Sequence, residues 1–275
     1  MMKLTGFTDE ISPDLREQIA VCKDEQIHHL EFRSAWNTNV LKLKDDELLR
    51  AKEMLVSNQI RVSAIGSPIG KISIVEDFQA HLLSLERAIF IAKLFETKYI
   101  RVFSFVLPKG DDGRQHRDEV VYRMKQMVKR AQETDVILLL ENESGMYGDT
   151  PERCLDVLEA CASPYLRHAF DPGNYVQSGV TSIVEAFQVL KPYIEYIHVK
   201  DVTAHNGKET PAGEGDGQLV ELQMQLQRMG FTGFLSLEPH LVYSGMYPDH
   251  TPAELFATAS QALKRILQQI GEEWS

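Results

Sequence analysis

Eight short apolar runs, rich in branched and aromatic residues, recur along the chain, and such runs are typical of β-strands. Between them, apolar residues recur every three or four positions, which is the spacing of amphipathic helices. Eight strand–helix units in 275 residues give about 34 residues each, the size of one βα unit. This alternation predicts an α/β fold, a single (β/α)8 TIM barrel. The predicted strands are Lys3–Phe7, His28–Arg33, Arg61–Ile65, Tyr99–Phe103, Val136–Glu141, Leu166–Asp171, Tyr196–Val199 and Gly233–Glu238.

An open, doubly wound sheet is the alternative arrangement of alternating strands and helices. That fold usually carries a glycine-rich phosphate loop after its first strand, and Gly6–Glu10 has no such pattern. Runs as apolar as Val136–Leu140 are typical of parallel strands that are covered on both faces. No segment rich in Pro, Gly and Ser divides the chain, so we expect one TIM-barrel domain over residues 1–275.

Three pairs of a hydroxyl residue and proline mark predicted helix starts. A hydroxyl can cap a helix, and proline fits the first turn because its missing N–H costs nothing there. The pairs are Ser12-Pro13, Thr150-Pro151 and Thr251-Pro252. Glu254, three residues after Thr251, adds the second half of a capping box.

Composition and charge exclude several classes of function. A net charge of −11 argues against a nucleic-acid partner, since phosphate contacts need clustered Lys and Arg. No run approaches the roughly 20 apolar residues of a membrane span, and no secretory leader precedes the first strand. The three cysteines lack the spacing of a metal site or a disulfide framework and indicate buried, inert thiols. We expect a cytoplasmic protein with a small-molecule substrate and no membrane partner, and homo-oligomer formation stays open.

Polar side chains close the last four predicted strands, where the active site of a TIM barrel lies. They are Glu141, Asp171, His198 and Glu238, and each follows an apolar run. Taken singly, each carboxylate is also compatible with the start of a loop or a turn, and His198 with a structural histidine. Four such residues at equivalent positions of neighbouring strands predict that three carboxylates and an imidazole converge.

Three carboxylates that meet without a counter-charge repel one another and shift each other's pKa. A divalent cation removes that repulsion, so these four residues are candidate metal ligands. The oxygen-rich set with one nitrogen suits Mn²⁺, Mg²⁺ or Co²⁺, with Mn²⁺ as the first expectation. Zn²⁺ also accepts histidine and carboxylate ligands.

Five segments around these residues resemble the sugar phosphate isomerase/epimerase superfamily, also called xylose isomerase-like barrels. The resemblance covers essentially the whole chain. It implies that Glu141, Asp171, His198 and Glu238 bind one divalent metal. It also implies that Glu141 and Glu238 act as acid and base on a hydroxy-ketone or hydroxy-aldehyde sugar. Its most specific pieces are Leu138–Glu143, Phe170–Asn174, Tyr196–Asp201, Pro211–Gly217 and Leu235–His240.

One position departs from the pattern of that superfamily. Asn174 stands three residues after Asp171, where many of its epimerases carry His. Asn does not titrate near neutral pH, so a proton relay there is lost, whereas a hydrogen bond to substrate is retained. The departure leaves the substrate and the reaction open, while the expected metal site is unaffected.

A metal beside two glutamates predicts proton transfer through an enediolate. Return of the proton to the opposite face gives epimerisation, and its delivery to the neighbouring carbon gives isomerisation. Loss of a β-hydroxyl would instead make the enzyme a dehydratase of a keto-polyol or dehydroshikimate-like substrate. Two remoter alternatives are an abasic-site endonuclease of the endonuclease IV type, which needs more His ligands and a basic surface, and a non-catalytic sugar-binding barrel.

Several polar residues beside the ligands are candidate substrate contacts. Glu31 and Arg33 share one face of the second strand, where an unpaired inward charge is costly. We expect a charge pair on the pocket floor or a substrate contact, with a structural role as the alternative. Gly213–Gly217 is expected to form a mobile loop. The predicted substrate-binding residues are Asn174, Lys200, Glu143 and His240.

Overall fold

The computed structural model covers residues 1–275 and contains eight parallel strands in a nearly closed barrel. Around the barrel the order is β1-β8-β7-β6-β5-β4-β3-β2, so each strand lies beside its neighbours in the sequence. β1 and β2 are in contact at the seam. The prediction of a closed barrel rather than an open sheet is therefore confirmed. The strands are β1 (Lys3–Gly6), β2 (His29–Phe32), β3 (Arg61–Ile65), β4 (Tyr99–Val102), β5 (Ile137–Glu141), β6 (Leu166–Phe170), β7 (Ile194–Val199) and β8 (Phe234–Leu237).

Nine α-helices connect and cover these strands. They are α1 (Leu15–Asp24), α2 (Asp45–Ser57), α3 (Phe78–Leu94), α4 (Arg117–Glu133), α5 (Pro151–Cys161), α6 (Pro172–Gln177), α7 (Ile183–Leu190), α8 (Leu219–Arg228) and α9 (Pro252–Gln269). Their apolar faces pack on the outside of the barrel, which buries the strands on both faces as a parallel sheet requires.

Alternation along each strand separates two apolar cores. Leu138 and Leu140 of β5 belong to the main core, whereas Leu139 belongs to a small cluster with side chains of β3, β4, β6 and β7. Successive strand side chains point to opposite faces, so the small cluster is the inside of the barrel. Glu141 lies two residues after Leu139 and therefore also faces the barrel axis, at its carboxyl end.

All eight predicted strands are present, with ends that differ from the prediction by at most two residues. β3 has the predicted bounds, and β7 begins two residues earlier than predicted. Two short hairpins outside the barrel were not predicted. They pair Ser34–Ala35 with Thr38–Asn39 and Asp201–Thr203 with Lys208–Thr210.

Two of the three predicted helix starts are confirmed. Thr150 caps α5, and Thr251 caps α9 with a complete capping box. The start predicted at Ser12-Pro13 is wrong, because α1 begins after Asp14, whose Oδ1 accepts a hydrogen bond from the backbone N–H of Arg16 at 2.9 Å. The Ser12 hydroxyl accepts from the backbone N–H of Asp14 at 3.1 Å, so it stabilises the turn before the helix instead.

Two structural findings concern the expectations from composition. No helix combines the length and apolar character needed to cross a bilayer. All three cysteines are free, with Cys22 and Cys154 buried and Cys161 half-buried. Burial raises the pKa of the Cys22 and Cys154 thiols to about 12 and that of Cys161 to about 11. Such thiols stay protonated and unreactive near neutral pH.

Candidate metal centre

Four side chains from four adjacent strands meet at the carboxyl end of the barrel. Glu141, Asp171, His198 and Glu238 are all buried, and one ligand atom of each lies within 4.8 Å of those of the other three. Nδ1 of His198 is 3.2 Å from Glu141 Oε1 and 3.3 Å from Glu238 Oε2. The structure thus brings together all four residues that the sequence predicts as metal ligands.

Three of the polar atoms at the centre of this cluster have no hydrogen-bond partner in the protein. Asp171 Oδ2, His198 Nδ1 and Glu238 Oε2 are buried and accept no hydrogen bond that would compensate their loss of water. Buried polar atoms without partners are rare because they are costly. Three carboxylate oxygens and one imidazole nitrogen around one point fit a divalent cation. This buried cluster could therefore bind a metal.

Two arginines contact the glutamates on the side away from the cluster. Arg101 Nη1 lies 2.5 Å from Glu141 Oε2, and Arg33 Nη1 lies 3.0 Å from Glu238 Oε1. Each glutamate therefore directs one oxygen to the cluster and the other to an arginine. The sequence analysis missed Arg101, although a charge in the middle of the apolar run Tyr99–Phe103, two residues from an inward tyrosine, is a usable signal.

The surroundings keep the two glutamates ionised. Burial by itself raises the pKa of Glu141, but the charges of His198 and Arg101 lower it to about 2. Burial likewise opposes ionisation of Glu238, and the nearby His198 and His240 side chains bring its pKa well below the usual range. Both glutamates are therefore carboxylates at neutral pH and can accept a proton.

Lys200 and Asn174 form a buried pair beside Asp171. Lys200 Nζ donates to Asn174 Oδ1 at 2.5 Å and lies 3.7 Å from Asp171 Oδ2. Asn174 Nδ2 donates to Glu141 Oε1 at 3.1 Å and to the backbone carbonyl of Asn142 at 2.9 Å. Both polar atoms of Asn174 are thus engaged with protein groups, while Lys200 also lines the open pocket. Their roles in substrate binding stay predictions.

The other two predicted substrate contacts lie at the mouth of the site. Glu143 Oε2 accepts from Lys71 Nζ at 2.9 Å. His240 Nε2 is 3.3 Å from Glu10 Oε1 and 3.5 Å from Glu238 Oε1. Glu10, which follows the first strand, was not predicted as a site residue. Its signal is the acidic pair that ends the Gly6–Glu10 segment.

Glu31 and Arg33 do not pair with each other, so the charge pair, one of the roles predicted for them, is wrong. Arg33 Nε lies 2.8 Å from Asp9 Oδ2, and its other contacts are Glu10 and Glu238. Glu31 accepts instead from Ser236 and lies beside His198. Glu31 lies on β2 and Arg33 directly follows that strand, but each finds an opposite charge or a donor on another part of the barrel rim, which sequence spacing alone does not reveal.

The backbone of the Gly213–Gly217 segment is hydrogen-bonded to one carboxylate. The backbone N–H groups of Gly213, Gly215 and Gly217 donate to the Asp201 carboxylate at 2.8 to 3.0 Å. A Cβ on Gly215 would lie within 2.4 Å of Asp201 Oδ1, so only glycine permits this approach. We expected this loop to be mobile. Its three hydrogen bonds instead fasten it to Asp201, the first residue of the hairpin strand Asp201–Thr203.

A small polar cavity opens beside the four-ligand cluster. Its volume is about 180 Å³, and no hydrophobic side chain lines it. Such a wall suits a ligand made mostly of hydroxyl and carbonyl groups. A larger cavity of about 580 Å³ lies at the opposite, amino end of the strands, away from the candidate ligands. The small cavity is lined by Arg33, Asn39, Gly66, Pro68, Lys71, Arg101, Glu143, Lys200, Glu238 and His240.

Comparison with known proteins extends this description. Residues 19–268 match the profile of a family described as the xylose isomerase-like TIM barrel. A 3-dehydroshikimate dehydratase of Bacillus anthracis is 28% identical over 133 residues, which are 48% of this chain and 47% of that protein. The chain spans about half the length of the curated relatives that it matches.

Solved structures show the same fold at low sequence identity. A D-tagatose 3-epimerase-like protein superposes with a TM-score of 0.77 at 18% identity, covering 98% of both chains. The IOLI protein with a bound zinc atom gives a TM-score of 0.80 at 18% identity, covering 98% of this chain and 99% of that one. At such identities these likenesses establish the shared architecture.

Proposed function

Because the chain belongs to the xylose isomerase-like TIM barrel family, we propose that it is a divalent-metal-dependent isomerase or epimerase of a small hydroxy-ketone or hydroxy-aldehyde sugar. The observation that carries this proposal is the four-ligand cluster beside a polar cavity, with two ionised glutamates among the four. A site of this kind has what proton transfer next to a carbonyl group requires. We take Mn²⁺ as the first metal to test, with Co²⁺, Mg²⁺ and Zn²⁺ as alternatives.

The two glutamates divide the proton transfers between them. A divalent cation held by Glu141, Asp171, His198 and Glu238 would supply electrophilic stabilisation for the substrate carbonyl. Glu238 lines the cavity, whereas Glu141 lies beneath Arg101, so Glu238 Oε1 is the oxygen placed to remove the α-proton. For epimerisation, Glu141 first takes up a proton from water and gives it to the opposite face of the substrate, and Glu238 releases the proton that it removed to water.

The other residues of the cavity orient the substrate and the bases. Arg33 holds Glu238, and Arg101 holds Glu141, so neither carboxylate rotates away from the reacting carbon. Lys200 is a hydrogen-bond donor for a substrate oxygen. Burial disfavours its charge, but the carboxylates of Asp171 and Glu238 raise its pKa above the ordinary value, so it stays protonated.

Dehydration is the second candidate, and one specific observation favours it. The relative that is a 3-dehydroshikimate dehydratase matches nearly half of the chain. The same removal of an α-proton by Glu238 would lead to loss of a β-hydroxyl if a donor such as Lys200 protonates the leaving oxygen. The substrate would then be a keto-polyol or a dehydroshikimate-like ring.

The structure gives the endonuclease alternative no support. Glu10, Glu238 and His240 form a second group that could hold a cation. Arg33 already places its positive charge between Glu10 and Glu238, at 3.4 and 3.0 Å. A second cation there would be repelled, so one metal is the expected content, whereas that endonuclease needs a cluster of several.

Solvent exchange tests the proposal directly. The Mn²⁺-loaded protein is incubated in D₂O with a panel of ketohexoses, ketopentoses and 3-dehydroshikimate, and NMR detects deuterium at the carbon beside the carbonyl. We expect exchange with at least one sugar, and its loss in Glu238→Gln and Glu141→Gln. Formation of an aromatic or unsaturated product from 3-dehydroshikimate would select dehydration. Deuterium exchange that persists in Glu238→Gln would contradict the assignment of Glu238 as the base.

A further inference from the structure

One buried carboxylate next to the candidate ligands has no role in the proton transfers described above. Glu31 on β2 is fully buried, and its Oε2 lies 3.3 Å from Nε2 of His198. The other ring nitrogen, Nδ1, faces Glu141 and Glu238. The imidazole of His198 therefore stands between the cluster on one side and Glu31 on the other.

Neither ring nitrogen of His198 makes a hydrogen bond in this structure, and the Glu31 carboxylate is the group 3.3 Å from Nε2. We propose that Glu31 is a positioning residue that accepts the Nε2–H of His198 when a metal is bound and so leaves Nδ1 as the metal-binding nitrogen. This inference rests on the proposed metal site. A neutral imidazole carries one N–H, and an ionised carboxylate can only accept, so a carboxylate at Nε2 selects the tautomer with its proton there. The same contact orients the ring and makes the opposite nitrogen a better ligand.

The position of Glu31 is itself fixed by neighbouring strands. Its Oε2 accepts from Ser236 Oγ at 2.7 Å, and Ser236 lies two residues before Glu238 on the inner face of β8. The register between β2 and β3 shifts at Glu31, where Ser63 is the extra residue. The Ser63 hydroxyl donates to the Leu30 carbonyl at 3.0 Å. The extra residue thus lies on β3 directly beside Glu31.

The ring of His198 has little freedom to choose another orientation. Phe7 packs edge-on at 5.3 Å between ring centroids, and Tyr196 packs edge-on at 5.7 Å. These two aromatic side chains hold the ring in place. The groups next to Nδ1 and Nε2 therefore determine which of the two nitrogens carries the proton. Glu31 is the only carboxylate within 4 Å of Nε2.

Glu31→Gln tests the proposal because it keeps the size of the side chain while its amide can donate to Nε2. The neutral amide oxygen accepts the Nε2–H less strongly than a carboxylate, and donation from the amide N–H to Nε2 favours the tautomer with the proton on Nδ1, which blocks the metal-binding nitrogen. We expect Mn²⁺ affinity, measured by competition with a chelator, to fall by about 10- to 100-fold. In ¹⁵N NMR of the Zn²⁺-loaded protein, the wild type should carry a proton on His198 Nε2 and none on Nδ1, and Glu31→Gln should weaken or shift the Nε2–H signal.

Two further variants keep the test decisive. Glu195→Gln makes the same change on the strand of His198 but at its far end, where Glu195 accepts from Tyr99 at 2.5 Å, and it should leave Mn²⁺ affinity unchanged. Ser236→Ala removes the hydrogen bond that holds Glu31 and should weaken Mn²⁺ binding several-fold. Circular dichroism of the metal-free proteins shows whether each variant folds.

The outcomes separate this inference from the proposed function. Folded Glu31→Gln with wild-type Mn²⁺ affinity and an unchanged His198 tautomer would overturn the role of Glu31 and leave the proposed metal site intact. If Glu31→Gln does not fold, unchanged affinity and tautomer in Ser236→Ala overturn it instead. Failure of the wild-type protein to bind Mn²⁺, Co²⁺, Mg²⁺ or Zn²⁺ would refute the metal site and this inference together.

Discussion

Two arginines hold the two glutamates in unequal surroundings. The Arg101 and Glu141 side chains are only 6% and 2% exposed, so their ion pair is shielded from water. The Arg33 side chain is 22% exposed and divides its charge among three carboxylates. A buried charge that loses its partner costs far more than one that water reaches. Glu141 therefore depends on its arginine more than Glu238 does.

This difference predicts unequal effects of removing each arginine. Arg101→Met should destabilise the metal-free protein by about 3–5 kcal/mol, because it leaves a buried carboxylate without its cation. Arg33→Met should cost less, since solvent and His240 can still stabilise Glu238. Urea unfolding of both metal-free variants measures the free energies. Equal losses for the two variants would contradict the assigned difference in burial.

Metal content gives a second test at single residues. The wild-type protein should contain about one Mn, Co, Mg or Zn ion per chain by elemental analysis, and His198→Ala should contain none, because a four-ligand site loses its only nitrogen. His29→Ala is the matched control, since His29 lines the cavity at the amino end of the barrel. A stoichiometric ion that remains in His198→Ala would place the metal elsewhere.

The sequence predicted the four clustered residues because each ends an apolar run on a strand of known direction. It missed Glu10, and it paired Glu31 and Arg33 with each other, for a common reason. Their true partners lie on strands distant in the chain, such as Glu238 for Arg33 and His198 for Glu31. Which of several nearby charges pairs with which depends on side-chain distances, and these follow from register shifts that no local pattern encodes.

At the scale of elements, the helix starts show where local patterns suffice. Thr251 followed by Glu254 produces a complete capping box in the structure, because the interaction involves only residues of one turn. Ser12-Pro13 has a similar pattern, but it is followed by Asp14, and aspartate is at least as favourable as serine at the N-cap of a helix. Two adjacent candidates compete there, so the helix starts later than the first one suggests.

The caps predict a measurable difference in stability. Thr251→Ala should reduce the free energy of unfolding by about 1 kcal/mol, because the first turn of α9 loses the acceptor of its Glu254 N–H. Ser12→Ala should cost less, since Asp14 still caps α1. Chemical denaturation of both variants provides the comparison. A larger loss for Ser12→Ala than for Thr251→Ala would show that the caps are wrongly assigned.

At the scale of the whole molecule, barrel closure brings the two ends of the chain to one site. β8 pairs with β1, and β2 lies on the other side of β1. Arg33 on the β2 side therefore reaches Glu238 on the β8 side, across 205 residues of sequence. The eight-unit alternation predicted this closure, and with it the rim where the ligands lie. Contacts that cross the seam were beyond prediction because they depend on how the barrel closes.

Metal and pH should act together on the stability of the barrel through Asp171. Burial raises the pKa of this carboxyl to about 7, although Lys200 lowers it. An acid whose pKa is raised by folding stabilises the folded state fully only below its unfolded pKa, and that stability is lost as pH rises through the folded value. The metal-free protein should therefore have a lower Tm at pH 8 than at pH 5.

A bound divalent cation reverses this trend, because it favours the ionised carboxylate that burial alone penalises. At about 1,000 times its Kd, Mn²⁺ should add about 4 kcal/mol to the stability, which raises Tm by about 10 °C. Protons compete for Asp171 at low pH, so the Tm difference between Mn²⁺-loaded and EDTA-treated protein should widen from pH 5 to pH 8. Asp171→Asn should abolish this widening. A difference that is constant with pH in the wild type would mean that Asp171 does not bind the cation.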